Sequence, residues 1–458
     1  MPLASELALF ISKTSYEDLS ENARKQLKLR VLDALGCALG AMDGEPVKLV
    51  RWQVDDFGGK PHCTLIGGGR TSPDRAAFFN SALVRYLDFN DSYLAKRETC
   101  HPSDNLGAVL AASEYAGKTG KDFLTALAAA YQVQCRLSDV APLRDKGFDH
   151  TTQGSYAVAA GVSRALGLDV EKTANAIAIS GTAFNALRVT RTGALSNWKG
   201  LAYPNTAFGA THAAFLAMRG ITGPPEVFEG NKGFMEAISG QFRIDWSRED
   251  LERVTSTIIK KYNAEVHSQS AIEGILEMKD QYGFRTEDIL SVELDIFNVA
   301  FNIIGGGEEG VKTIVSTKEE ADHSLPYILA AAILDGVVMP EQYSPERIRK
   351  DDIQNLLKRI FVRPRTDLTD RFPLEMPCHI KINFSNGKFL EYEKKDYEGF
   401  YTRPLKWEGV VRKFEFLSRP YVSTELSVSI QHAVNDLESI RVEELTELLA
   451  RVGPGEKC

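Results

Sequence analysis

The sequence predicts a mainly α-helical protein: a large all-helical domain plus a smaller α+β domain. Three observations predict this. Apolar spacing of the helical kind, much of it alanine-rich, fills roughly the first 260 residues; strand-like alternation begins only after about residue 265; and helical spacing returns in the tail. At 458 residues, 43% hydrophobic and 25% charged, the chain is long enough for two unequal domains or three, and it can bury a core without disulfides or metal.

The elements follow in order. Residues 19–43 place Leu27, Val31, Leu35 and Leu39 four apart with charges between them, and Ser20 is a suitable N-cap. Segments 105–117, 120–136, 153–167 and 205–219 are rich in Ala with interspersed Gly, so they predict closely packed helices buried on most sides. Residues 289–297 alternate as a strand does. Residues 379–393 put Ile380, Ile382 and Phe384 on one face before an Asn386–Gly387 turn, the strongest hairpin signal in the chain. Segments 319–336 and 346–359 read as helices between these strands. The tail, 406–452, is helical and is expected to pack back on the first domain. The expected division is 1–265 all-helical, 266–400 α+β, and 401–458 a C-terminal helical segment.

Net charge is −8 and no Lys/Arg tract occurs, which argues against nucleic acid and anionic membrane surfaces as partners. The six cysteines, at 37, 63, 100, 135, 378 and 458, form no CxxC pair and no Cys/His cluster of zinc or iron–sulfur spacing. No metal and no cofactor is expected. The N-terminus lacks a basic region, Glu6 interrupts its apolar stretch, and no run reaches the ~18–20 apolar residues of a membrane span. These features predict a reduced, cytoplasmic protein. Gly-rich patches at 67–70 and 305–310 lack the lysine and the strand–helix context of a phosphate cradle.

Eight histidines make their surroundings informative. His101 follows Asp88 and Asp91 and precedes Pro102, which predicts a turn before a helix capped by Ser103 or Asp104; carboxylates and an imidazole there suit acid–base work, although caps alone would explain the residues. His150 lies just before an Ala-rich helix, where free N–H groups favour anions. Arg188, Arg191 and Lys199 gather near Trp198 and Gly200, with the fork and point-charge geometries that bind carboxylates. Lys260, Lys261, Tyr262 and His267 fall at the boundary between the two textures, and pockets tend to form at domain boundaries. His323 and Tyr327 are four apart on one expected helix. His62, His212, His379 and His432 read as structural, in a loop, a helix core, a strand start and the terminal helix. Cations in excess at these segments of an acidic chain predict a polyanionic small molecule as substrate.

At these same segments the chain resembles the MmgE/PrpD family, whose best-known members are 2-methylcitrate dehydratases, with cis-aconitate decarboxylases and an iminodisuccinate epimerase as relatives. The likeness rests on VLDALGCALGA (31–41), LDFND (87–91), HPSDNLGA (101–108), FDHTTQG (148–154), NWKG (197–200), KKYNAEVHSQSAIE (260–273) and HSLPYILAAAILDG (323–336). It implies a helical domain made from both chain ends, a smaller α+β lid, a homodimer, and activity without an iron–sulfur cluster. By motif it implies catalytic positions at Asp91, His101, His150, Lys199, His267 and Tyr327. Substrate-binding positions would be Arg191 and Lys261, with Lys260 as the alternative lysine. Where dehydratases of the family read AAEWG or similar, this chain has AKRETC (95–100), which adds Lys96 and Arg97.

The reaction so implied is dehydration of a tricarboxylate. It needs cations on the carboxylate as it becomes enediolate-like, a base at the C–H and an acid at the departing hydroxyl. Lys199, Arg191 and Lys261 are expected on the carboxylates, His101 backed by the Asp91 carboxylate as base, and His150 or Tyr327 as acid. A decarboxylase or isomerase of the same family, or a non-catalytic tricarboxylate-binding or scaffold protein, are the alternatives.

Overall fold

A computed structural model describes residues 1–453, which divide into two compact units. One comprises Met1–Thr190, Gly200–Ile259 and the chain from Lys406 onward; the other comprises Arg191–Lys199 and Lys260–Leu405. Cys458 lies outside the described residues, and the other five cysteines are buried free thiols. No described helix is long and apolar enough to cross a membrane.

The first unit is built of helices from both ends of the chain. The helix Glu21–Gly40 starts where Ser20 Oγ accepts the Ala23 N–H, and nearly every residue from Leu29 to Leu39 is buried. It packs on Trp407–Ser418 from the tail. Gly36 makes this approach possible, since a Cβ there would lie 3.1 Å from the Phe414 Cα. Between these two helices, Lys413 Nζ sits 2.7 Å from Asp33 Oδ1 and donates to the Phe89 carbonyl at 2.7 Å. The Ala-rich helices Leu106–Tyr115, Gly120–Val140 and Thr151–Leu166 form the buried centre. Small residues set their spacing: a Cβ on Gly161 would meet Ala130 at 2.9 Å and Val109 at 3.0 Å. The helix read from 205–219 begins earlier, at Trp198, and runs to Met218 with Pro204 inside it. His212 on this helix is exposed beside Asp74 rather than in a core, a correction to its expected place.

The second unit carries a four-stranded sheet. The central strand Ile289–Ile296 runs parallel to Ile360–Pro364 and antiparallel to Cys378–Phe384, which pairs in turn with Phe389–Lys394. Cys378–Phe384 alternates buried and half-buried residues along its length, as the spacing predicts. Its hairpin turns at Gly387, whose φ of +80° favours glycine. The helix Gln269–Tyr282 covers the sheet, and Gly274 admits Ile380, whose Cδ1 would be 2.7 Å from a Cβ there.

The expected helix over 319–336 is two helices, Lys318–Ala321 and Leu325–Asp335. Ser324 causes the break: its Oγ accepts the Tyr327 N–H as an N-cap, and Pro326 is tolerated only in a first turn. His323 therefore precedes the helix that carries Tyr327, so the two do not share one helix face. The expected helix over 346–359 is likewise divided, into Pro345–Ile348, Asp351–Leu356 and a 3-10 turn at Leu357–Arg359.

Candidate active site

Each unit holds one cluster of the residues singled out above. In the helical unit the segments 88–91 and 101–105 are laced together. Asp88, at φ +54°, pairs with Arg85 at 2.6 Å, and Arg85 also faces Asp104 at 3.7 Å. Asn90 Nδ2 donates to Ser103 Oγ and to Asp104 Oδ1, both at 2.8 Å. Asp91 Oδ1 accepts the Ser103 N–H at 3.0 Å and its Oδ2 accepts the Tyr131 hydroxyl at 2.8 Å. Burial raises the Asp91 carboxyl above its usual range, against the opposing pull of Ser103, Arg30 and Tyr131. Asn90, Asp91, Ser103 and Asp104 thus satisfy one another's buried groups across the two motifs. Ser103 and Asp104 serve this lattice and do not cap a helix, which corrects their expected role; the turn Pro102–Asn105 has no side-chain cap.

His101 is oriented by backbone. Its Nδ1 lies 2.9 Å from the Asp91 carbonyl oxygen and 3.0 Å from Ser92 Oγ. A carbonyl only accepts, so Nδ1 carries the proton, and the neutral ring keeps its lone pair on Nε2. The Asp91 carboxylate was expected to orient this ring; its backbone oxygen makes the contact, while the carboxylate holds Ser103 and Tyr131. The His150 ring meets His101 edge-on with centroids 5.4 Å apart, and lies 6.1 Å from the Tyr203 ring. His150 immediately precedes the helix Thr151–Leu166, but the anion at that helix start is the Asp149 carboxylate, which accepts the Thr151 N–H at 3.1 Å. Arg188 Nη1 lies 3.7 Å from the same carboxylate. A separate cavity of about 690 Å³, lined by Phe10, Trp246 and Leu251 among others, contains no histidine.

In the second unit Lys199 is buried, with Nζ 2.8 Å from Asp322 Oδ1 and 2.9 Å from His323 Nδ1. Lys318 Nζ reaches the other oxygen, Asp322 Oδ2, at 2.7 Å. Two ammonium groups thus share the two oxygens of one carboxylate. Burial opposes ionisation of Asp322, but Lys199, Lys318 and His323 outweigh it and hold the carboxyl far below its usual range. Arg191, also buried, donates from Nη1 to the Lys199 carbonyl at 3.2 Å. His267 Nδ1 is 2.7 Å from Glu265 Oε1. Lys260 is fully buried, whereas the Lys261 ammonium is engaged by Glu398 at 2.8 Å and Glu273 at 3.3 Å. Tyr327 is buried, and its hydroxyl donates to the Gln342 carbonyl at 2.5 Å.

Sequence reasoning missed Asp322, Lys318 and Glu265. Asp322 adjoins His323 and Glu265 is two residues from His267, so adjacency to a motif histidine was the available signal. Lys318 carried none, since it reaches Asp322 by helical i,i+4 spacing on a helix too short to read.

Comparison with known proteins agrees along the chain. The MmgE/PrpD N-terminal domain matches residues 5–247 and the MmgE/PrpD C-terminal domain matches residues 262–439. The 2-methylcitrate dehydratase of Escherichia coli (strain K12) is 27% identical over 470 residues, covering 95% of this chain and 94% of the relative. The probable 2-methylcitrate dehydratase of Saccharomyces cerevisiae is 27% identical over 397 residues, covering 80% and 74%. The cis-aconitate decarboxylase of Mus musculus is 25% identical over 462 residues, covering 94% and 90%. With both domains matched and the LDFND and HPSDN segments interlocked as described, the chain belongs to the MmgE/PrpD family.

Proposed function

We propose that the protein is a lyase acting on a small di- or tricarboxylate, by dehydration of 2-methylcitrate or a citrate-like substrate to the corresponding alkene. The observation that carries this reading is the fixed His101 ring, whose Nδ1 faces the Asp91 carbonyl and whose Nε2 is therefore the basic nitrogen. His101 Nε2 removes the proton alpha to a carboxylate. The electron pair left on carbon forms the alkene as the C–O bond of the neighbouring carbon breaks, and hydroxide leaves as water after taking a proton from His150. Tyr327 is not given that role, because its single hydroxyl proton is directed at the Gln342 carbonyl.

Lys199, Arg191 and Lys261 bind the substrate carboxylates, with Lys260 as the alternative lysine; Lys261 is paired with Glu398 and Glu273. Cations there stabilise the enediolate-like charge, which forms only as the proton leaves, so they lower the barrier rather than merely tighten binding. General acid–base help supplies about 10²–10⁴-fold per group, and this electrostatic term the larger part of the rest. Decarboxylation of cis-aconitate would use the same cations for a carbanion generated by loss of CO₂, and the mouse relative's name keeps that substrate in the test.

The test is ultraviolet absorbance of the conjugated alkene when purified protein is mixed with 2-methylcitrate, citrate and cis-aconitate, with product masses, with and without chelator. Dehydration of 2-methylcitrate supports the proposal. Loss of CO₂ from cis-aconitate without dehydration of any substrate replaces it with the decarboxylase. Binding with no turnover assigns the chain to a non-catalytic role, and activity lost to chelator adds a metal requirement.

A further inference from the structure

Glu265 belongs to none of the roles above, yet it is the residue most closely tied to His267. Its Oε1 lies 2.7 Å from His267 Nδ1 and its Oε2 accepts the His267 backbone N–H at 2.8 Å. Both oxygens of one carboxylate thus fix one histidine, ring and backbone together. The Glu265 N–H donates to the Asp322 carbonyl at 3.1 Å, so the carboxylate is itself anchored to the segment that holds Lys199. Burial disfavours the ionised carboxyl, but the His267, His323 and Lys260 groups prevail and hold it at about 2.

A carboxylate only accepts, so His267 Nδ1 carries a proton and the neutral ring keeps its lone pair on Nε2. That Nε2 is buried and makes no hydrogen bond to any described residue. The ring is flanked by Phe297 and Phe372, each 5.6 Å away by centroid and stacked on each other at 4.4 Å. A histidine needed only for packing would not require its second nitrogen to be left without a partner, because an unsatisfied buried polar atom costs about 1–3 kcal/mol. We infer that Glu265 is a positioning residue that locks His267 in the Nδ1–H tautomer and so presents Nε2 to the substrate. This inference rests on the proposed lyase reading for the substrate, and on geometry alone for the tautomer.

Glutamine is the informative replacement. It has one acceptor oxygen where glutamate has two, so Glu265→Gln cannot hold the ring and backbone N–H groups of His267 through separate oxygens as Glu265 does. The test records ring-nitrogen shifts of histidine-labelled protein at alkaline pH, where imidazoles are neutral, with His267 identified by its absence in His267→Asn. It also measures kcat and KM for whichever carboxylate the protein turns over. The expected result is the Nδ1–H tautomer in the wild type, a mixed or reversed tautomer in Glu265→Gln, and a fall in kcat of about tenfold or more with KM changed less than about threefold.

A wild-type ring protonated on Nε2 overturns the inference, and that spectrum needs no variant to fold. An unchanged tautomer in Glu265→Gln, or a changed tautomer with kcat within about twofold, overturns it too. If no carboxylate is turned over, the lyase reading fails separately, and the nitrogen shifts alone decide whether Glu265 holds the ring.

Discussion

Lys413, more than 300 residues from the motif it supports, offers a demanding prediction. Its ammonium is buried, 2.7 Å from Asp33 Oδ1, 2.7 Å from the Phe89 carbonyl and 3.6 Å from the centre of the Phe89 ring. Lys413→Met keeps the stem and removes the charge. Asp33, only 1% exposed, then loses its nearest cation, and breaking a buried pair from one side costs about 3–5 kcal/mol. Against the ~5–15 kcal/mol that holds a typical native fold, the loss is large. Replacing both partners, as in Asp33→Leu with Lys413→Met, removes the stranded charge and should recover most of it, to within about 2 kcal/mol of wild type.

The pH dependence has a definite sign. Burial raises the Asp33 carboxyl above its usual range even with Lys413 present, so losing the lysine raises it further. The deficit of Lys413→Met should therefore be greatest near pH 8 and shrink as acidification protonates Asp33. Urea unfolding followed by tryptophan emission suits the question, because Trp52, Trp246 and Trp407 lie in the helical unit and only Trp198 in the other. A Lys413→Met variant less than about 1 kcal/mol weaker than wild type, or a double variant weaker than the single one, would refute the reasoning.

Further expectations concern catalysis, acid stability and packing. His101→Ala and Lys199→Ala should each reduce turnover more than about tenfold with far-ultraviolet dichroism unchanged, and wild-type rates in either purified variant remove that residue from the mechanism. Glu265 has its folded carboxyl at about 2 against the ordinary 4.5, so its contribution is complete above about pH 5 and lost as pH falls through 2. Unfolding midpoints of wild type and Glu265→Gln should accordingly converge on acidification across that window, and parallel curves would contradict this; the raised carboxyls of Asp33 and Asp91 act in the opposite direction but are common to both proteins. Gly120→Ala should cost about 3 kcal/mol or more, since its Cβ would lie 1.8 Å from the backbone oxygen of Leu437 and backbone yields little. A thermal midpoint within a degree or two of wild type would show that this contact relaxes.

Periodicity determined much of the architecture. The helix Glu21–Gly40 and its Ser20 cap, the Ala-rich helices and the hairpin turning at Gly387 follow from local spacing, because 3.6- and 2-residue repeats select the face to be buried. Motif likeness supplied His101, His150, Lys199 and His267, and with them the chemistry to look for. Tertiary structure alone decided which atom of each residue is used. Asp91 holds His101 by its carbonyl and spends its carboxylate on Ser103 and Tyr131; Glu398 and Glu273 occupy Lys261 while Lys260 is buried; Ser324 ends one helix and starts another, which leaves His323 beside Lys199. The physical reason is range. Turns, caps and amphipathic faces are set by neighbours within about four residues, whereas a hydrogen-bonding partner such as Lys413 for Phe89, or Asp322 for Lys199, arrives from elsewhere in the chain only once the core has closed.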